Sequence, residues 1–373
     1  MHNIGRIGLD SILSILGRKV KYIIKSIIFL PYLTLFGYQI IIVLLNARDR
    51  KPLVLVKGNI RRIDCVCPDS NKFIYFMKEY TLLYIPENHV ISPISSMAIY
   101  LIKRLISSKI VTIISDKKED KSLWQFSLCW NNIEESMGNI ERSIFTMEDI
   151  SAEKSAQPLR LYFPLLKSKI LPINNKFNSY PVYIGRINHG LSLENCDLTV
   201  LDKDNPCDLS PKELNLFSIR RSYSRLYFVK SMKDYYGKKF KLYGLGWENY
   251  NLKSGSFGYQ KNKRHEIYSR AGICVDFLSQ NGNNCLYERS IDILNSGAIL
   301  VQWRSFDSHT VYGHDYANQF CFSSVDELQL IIDLIMSKGI TAFEHIRQLG
   351  IENTKTFQER CNTKSIRKCI EIL

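Results

Sequence analysis

Metal-binding spacing is missing from this sequence. Its 373 residues include ten cysteines, but no two stand as C-x-x-C, and only Cys65 and Cys67 lie close together. No Cys/His set has zinc spacing, so a structural metal is not expected. Unpaired thiols fit a reducing compartment better than a disulfide scaffold. The chain also has no internal repeat and no low-complexity tract, which excludes solenoids and propellers. No small-residue cleavage site follows the apolar N-terminal region, which argues against a removed signal peptide. Charge itself is absent from Ser26 to Ala47, "SIIFLPYLTLFGYQIIIVLLNA".

That uncharged run is long enough to cross a bilayer core. Before it, Ile4, Ile7, Ile12, Ile15, Leu16, Val20, Ile23 and Ile24 recur at helical spacing, with Arg6, Arg18, Lys21 and Lys25 largely on the other side. This is the pattern of an interfacial amphipathic helix. Pro31 and Gly37 interrupt the run, as in a half-inserted hairpin. Residues 1–50 are therefore expected to attach the protein to a membrane surface, peripherally or as an anchor.

The chain as a whole has a globular composition, 45% hydrophobic and 23% charged, with a net charge of +14. Such an excess of cations favours anionic partners: nucleotide phosphates, nucleic acid or acidic lipid. No RNP or helix-turn-helix signature accompanies the charge, so nucleic acid is set aside. The length implies two domains. After Lys51, strand-like segments ("PLVLVKG", "TLLYIPE", "KIVTIISD") alternate with helical ones, which predicts an open, mostly parallel α/β sheet. A second series begins near Tyr180: "YPVYIGRIN", "RRSYSRLYFVKSMKDYYG", "KKFKLYGLGW", "NKRHEIYSRA" and "GICVDFLS". The expected division is 51–175 and 176–345, two Rossmann-like domains facing a cleft, with a helical tail over 346–373.

Ligands of such sheets bind beyond the carboxyl ends of the strands. Three stretches fall there. "YGLGW" offers Gly244 and Gly246, "LSQNGNN" offers Ser279, Gln280 and Asn281, and "YERSIDILNSG" places Glu288, Arg289 and Asp292 at a helix start. Carboxylates there suit the helix dipole, but Arg289 has no obvious structural task, and its loss is expected to spare stability. Residues 288 and 292 share a helix face, with 289 about 100° round from 288. Arg220, Arg221 and Arg225 read as a solvated basic face.

The order "RRSYSRLYFVKSMKDYYGKKFKLYGLGW", "GICVDFLSQNGNN", "ERSIDILNSGAILV" resembles the C-terminal half of GT-B glycosyltransferases, most closely the CgeB-like and group 1 transferases. The likeness runs from about Tyr180 to Ile335. Arg289 and Gly297 match the arginine and glycine of R-x-F-E-A-x-A-x-G, while Asp292 stands where glutamate is usual. A second alignment sets Glu288 and Arg289 against the acidic-basic segment of α1,3-fucosyltransferases, with the same architecture. A catalytically silent GT-B scaffold is the remaining alternative.

The resemblance implies metal-independent transfer of a sugar from a nucleotide sugar to a glycan or lipid-linked acceptor. This would take place in cell-envelope polysaccharide synthesis on the cytoplasmic side of the membrane. Arg289 would contact the donor diphosphate and Asp292 the ribose or sugar hydroxyls, with Glu288 either sharing that task or pairing with Arg289. The turn glycines and residues 279–281 would line the donor site. The acceptor's base would come from the first domain, with Asp116 and His89 as candidates. The resemblance also implies no cofactor, the nucleotide sugar being the substrate.

Overall fold

In the computed structural model, the residues described are 37, 38, 41, 53–59, 74–76, 78–87, 110–113, 127–129, 143–145, 159–160, 162, 166, 170, 180–187, 211–255, 261–278 and 285–372. The chain divides into two compact units, residues 1–128 with 366–373, and residues 129–365. Almost all of the expected membrane segment lies outside the described residues. Among the described residues, no helix is long and apolar enough to cross a membrane.

The first unit holds strands β1 (Leu53–Asn59), β2 (Ile74–Phe76), β3 (Thr81–Glu87) and β4 (Ile110–Ile113). They form one sheet in the order β2-β3-β1-β4. β1 runs parallel to both neighbours, with Leu53 opposite Thr81 on one side and Ile110 on the other. The edge strand β2 is antiparallel to β3, which the alternating pattern did not predict. Val54 and Leu83 are fully buried, as β-branched and aliphatic residues of a sheet covered on both faces should be.

A small sheet then follows in the order β5-β6-β7, from β5 (Ser127–Cys129), β6 (Ser143–Phe145) and β7 (Leu159–Arg160). It too was unforeseen, because two- and three-residue strands are too short to show a period.

The second unit contains the larger sheet. Its strands are β8 (Tyr180–Ile184), β9 (Lys241–Tyr243), β10 (Gly272–Asp276), β11 (Ile299–Trp303) and β12 (Cys321–Phe322). The spatial order is β12-β11-β10-β8-β9, and every pairing is parallel. Numbered along the chain this is 2-1-3-4-5, so the order reverses between β8 and β10. Gly272–Asp276 is buried throughout, which accounts for its continuous apolar run.

Among the residues described from 180 onward, the α-helices are α1 (Pro211–Tyr236), α2 (Lys261–Ala271), α3 (Glu288–Asn295), α4 (Ser308–Tyr312), α5 (His314–Phe320), α6 (Val325–Lys338) and α7 (Glu344–Ile372). Local chemistry sets their ends. α1 begins on proline, whose missing N–H costs nothing at that position. At α3, the Ser290 hydroxyl accepts from the Tyr287 N–H at 2.8 Å and donates to the Tyr287 carbonyl at 2.7 Å. The turn out of α3 passes through Gly297, whose φ of +85° is left-handed. At α6, Ser324 accepts from the Glu327 N–H while Glu327 accepts from the Ser323 N–H.

α1 packs on the sheet through Phe228, whose ring meets Phe277, Trp303 and Phe322 with centroids 4.9–5.7 Å apart. Asn362 of α7 both accepts from and donates to the Tyr162 backbone, which fastens the segment after β7.

Candidate functional site

The reversal point between β8 and β10 is where the sheet gathers its unusual polar residues. Asp276, the last residue of β10, has no exposed surface. Its Oδ1 accepts from Arg289 Nη1 at 3.0 Å and, in a short hydrogen bond, from the Tyr287 hydroxyl. Its Oδ2 accepts from Gln302 Nε2 at 3.0 Å, and parallel register places Gln302 directly beside it on β11. Three donors thus converge on one sealed carboxylate, and the charge of Arg289 balances its own. Asp276 thus serves the sheet as a buried acceptor of three hydrogen bonds.

Arg289 is 21% exposed at its side chain. Its guanidinium lies 5.5 Å from the Tyr183 ring centre and 5.6 Å from that of Tyr287, and also donates to the Tyr183 hydroxyl at 3.3 Å. Burial opposes its charge, but Tyr287, Tyr183 and Asp276 outweigh it and hold the group more firmly protonated than usual. Burial pushes the Tyr287 phenol well up, so its proton stays on the hydroxyl that Asp276 needs. This gives Arg289 a structural partner that its place in the sequence does not disclose. Removing it strands a buried carboxylate, so the expectation that its loss would spare stability is corrected.

Asp292 has different company. One turn along α3 it is 2% exposed and paired with Arg264 of α2 in a short ion pair, with His265 Nε2 at 3.6 Å from its other oxygen. The same helix therefore points Arg289 at the carboxyl end of the sheet and Asp292 at α2. Glu288 opens α3.

The glycines of "YGLGW" serve the backbone. Gly244, at φ +129°, leaves no room for a Cβ, which would lie 2.0 Å from the Gly185 carbonyl oxygen. At Gly246, φ +90°, a Cβ would meet the Ile187 carbonyl oxygen at 2.4 Å. The turn extends the pairing of β8, with Gly185 N–H bonded to the Tyr243 carbonyl and Ile187 N–H to that of Leu245. The Trp247 indole donates to the Gly185 carbonyl at 2.6 Å. Only Leu245 of the turn stands exposed.

Arg225 departs from expectation. Arg220 and Arg221 lie on α1; Arg225 is buried, at 3% exposure, instead of standing on a solvated face. Its Nη2 donates to the Leu278 carbonyl at 3.2 Å, and its Nε is sealed without a partner. Among the described residues, no carboxylate lies within ion-pair distance of it. Leu278, just beyond β10, has a left-handed φ of +60°, so the guanidinium holds the chain where it leaves the strand.

Ser279, Gln280, Asn281, Asp116 and His89 lie outside the described residues. Among the described residues, no three His, Cys, Asp or Glu side chains gather to hold a metal ion. A surface groove of about 600 Å³ between α5, α6 and α7 lies apart from all of these groups; Asp315, Leu330, Leu334 and His345 line it.

Sequence reasoning missed Asp276, Gln302, Tyr183 and Tyr287. A signal existed for the first two, since each is the single polar residue in an otherwise apolar strand, "GICVDF" and "AILVQW".

Neither a protein-family model nor a curated protein sequence matches the chain. Among solved structures, a crystal structure of an α1,3-fucosyltransferase is similar to it with 11% identity, over 86% of this chain and 91% of that one. The TM-score is 0.35, too low to carry an argument.

Proposed function

We propose that residues 129–365 are the donor-binding half of a GT-B glycosyltransferase that moves a sugar from a nucleotide sugar to a glycan or lipid-linked acceptor. The carrying observation is a pair of arginines at the carboxyl end of a 2-1-3-4-5 parallel sheet. Arg289 is fixed by Asp276 with one-fifth of its side chain open. Arg225 is buried, and among the described residues no carboxylate pairs with it. A buried cation without a counter-ion is costly, and an anion at that end of the sheet would relieve the cost.

A nucleoside diphosphate supplies such an anion. Its departure develops negative charge, which fixed cations stabilise in the transition state without reorganising. The net charge of +14 draws the same class of ligand. The motif order from Tyr180 to Ile335 supports the same reading. The proposal extends to a base from the first unit, Asp116 or His89, to membrane attachment through residues 1–50, and to independence of divalent metal.

The test is calorimetric titration of the full chain with GDP, UDP, ADP and CMP, followed by hydrolysis assays on the matching nucleotide sugars. Saturable binding of at least one nucleotide, and turnover that survives EDTA, are expected. No binding to any of the four would overturn the reading, and recovery by manganese after complete loss in EDTA would overturn metal independence.

A further inference from the structure

Gln302 is an anomaly of the core. It has no exposed surface, yet it is a long polar side chain inside "AILVQW". Every polar atom of its amide is engaged. Nε2 donates to Asp276 Oδ2 at 3.0 Å and to the Cys285 carbonyl at 2.8 Å, while Oε1 accepts from the Tyr312 hydroxyl at 2.9 Å. The amide cannot be turned over, because that would face its oxygen toward a carboxylate and a carbonyl, both acceptors. The single Tyr312 hydroxyl proton is shared, since the Cys285 carbonyl also lies 3.0 Å from that oxygen. Gln302 thereby grips both supports of Arg289: the carboxylate that receives its guanidinium, and the backbone two residues before Tyr287 that leads into α3.

We infer that Gln302, held by Tyr312, is a positioning residue that sets the aim of Arg289 toward the anion at the sheet's carboxyl end. This rests on the anion-binding reading of Arg289 and extends it inward by two residues. Neither residue touches the ligand. With Oδ2 released, the Asp276 carboxylate keeps only its Oδ1 bonds to Tyr287 and Arg289, so it can pivot about its last bond and carry Arg289 with it.

Two readouts on the full chain test this, one of them independent of any ligand. The first is the affinity for whichever of GDP and UDP the wild type binds more tightly. The second is the rate at which phenylglyoxal modifies Arg289, followed by peptide mass spectrometry. Gln302→Leu should weaken nucleotide binding and speed labelling, each on the order of tenfold, as the loss of one hydrogen bond to a charged group implies. Tyr312→Phe, which keeps the ring and frees the amide oxygen, should shift both in the same direction by a smaller factor. Tyr316→Phe is the control. Its hydroxyl is equally buried and bonds the Leu300 carbonyl on the same strand, so its loss should lower Tm and leave both readouts alone.

A folded Gln302→Leu with wild-type labelling of Arg289 overturns the inference. If that variant does not fold, Tyr312→Phe decides in the same way. Should the wild type bind no nucleotide, the donor reading fails, and the labelling rates still decide whether Gln302 positions Arg289.

Discussion

Arg289 and Asp292 sit three residues apart on one short helix and inhabit different chemistry. Arg289 meets a sealed carboxylate and two aromatic rings at the carboxyl end of the sheet, and keeps a fifth of its side chain open. Asp292 is closed off against Arg264 and His265 of α2. The comparison teaches that a cluster of charges at a helix start is not one functional unit. The helix distributes it between a face that reaches solvent and a face that joins two helices.

The sharpest way to break the comparison is Arg289→Ala. It leaves Asp276 buried and uncompensated, a loss of about 3–5 kcal/mol, and should abolish nucleotide binding as well. The double variant Asp276→Asn with Arg289→Met separates the two effects. With no buried charge left over it should melt near the wild type, yet bind no nucleotide. Recovery of binding together with stability would show that Arg289 has no ligand role.

Asp292→Asn should act on stability alone. Arg264 is itself about one-fifth exposed, so losing its partner should cost only about 2 kcal/mol, less than a fully buried break. Nucleotide affinity in the folded variant should match the wild type. A large loss of affinity with unchanged Tm would return Asp292 to the donor site.

Gly246→Ala extends the contrast to the turn. A side chain there meets the Ile187 carbonyl and must hold a left-handed φ, at a cost of about 1–3 kcal/mol. Leu245→Ala beside it, on an exposed side chain, should shift stability by no more than about 0.5 kcal/mol. Thermal melts of the pair check both.

The smallest effect concerns Asp307 and pH. Burial raises its pKa, although Ser305 and the Cys285 N–H, which donate to it, hold the rise in check. A carboxyl whose folded pKa lies above its unfolded value adds stability below the unfolded pKa and loses it as pH rises through the folded one. Melting curves at pH 5 and pH 8 should therefore show the wild type gaining on Asp307→Asn as the pH is lowered. A gap that widens in the opposite direction would mean the group is stabilised as a carboxylate.

Much of the second unit was legible in the chain. The strands "YPVYI", "GICVD" and "ILVQW" announce themselves as apolar runs between helical segments, and "YGLGW" reads as a turn because glycine is cheap there and other residues are not. The same reading put Arg225 on a solvated face, because "RRSYSR" is basic and helical; only the packing of Phe228 on Phe277 turns that side of α1 toward the sheet. The small sheet β5-β6-β7 and helices α4 and α5 were not legible, since such short elements lack a measurable period.

By itself the sequence determined the types of the longer elements of the second unit, the parallel character of the main sheet and the position of Arg289 at a helix start. These follow from periodicity and from turn and cap chemistry, which act over a few neighbouring residues. Tertiary structure alone decided that Arg289 would be fixed by Asp276, 13 residues away, and by Tyr183, 106 residues away. It likewise turned Asp292 to Arg264 and set Gln302 against Asp276. The physical reason is that a buried charge is tolerated only with partners, and strand order and register, not proximity in the chain, choose which partners are within reach.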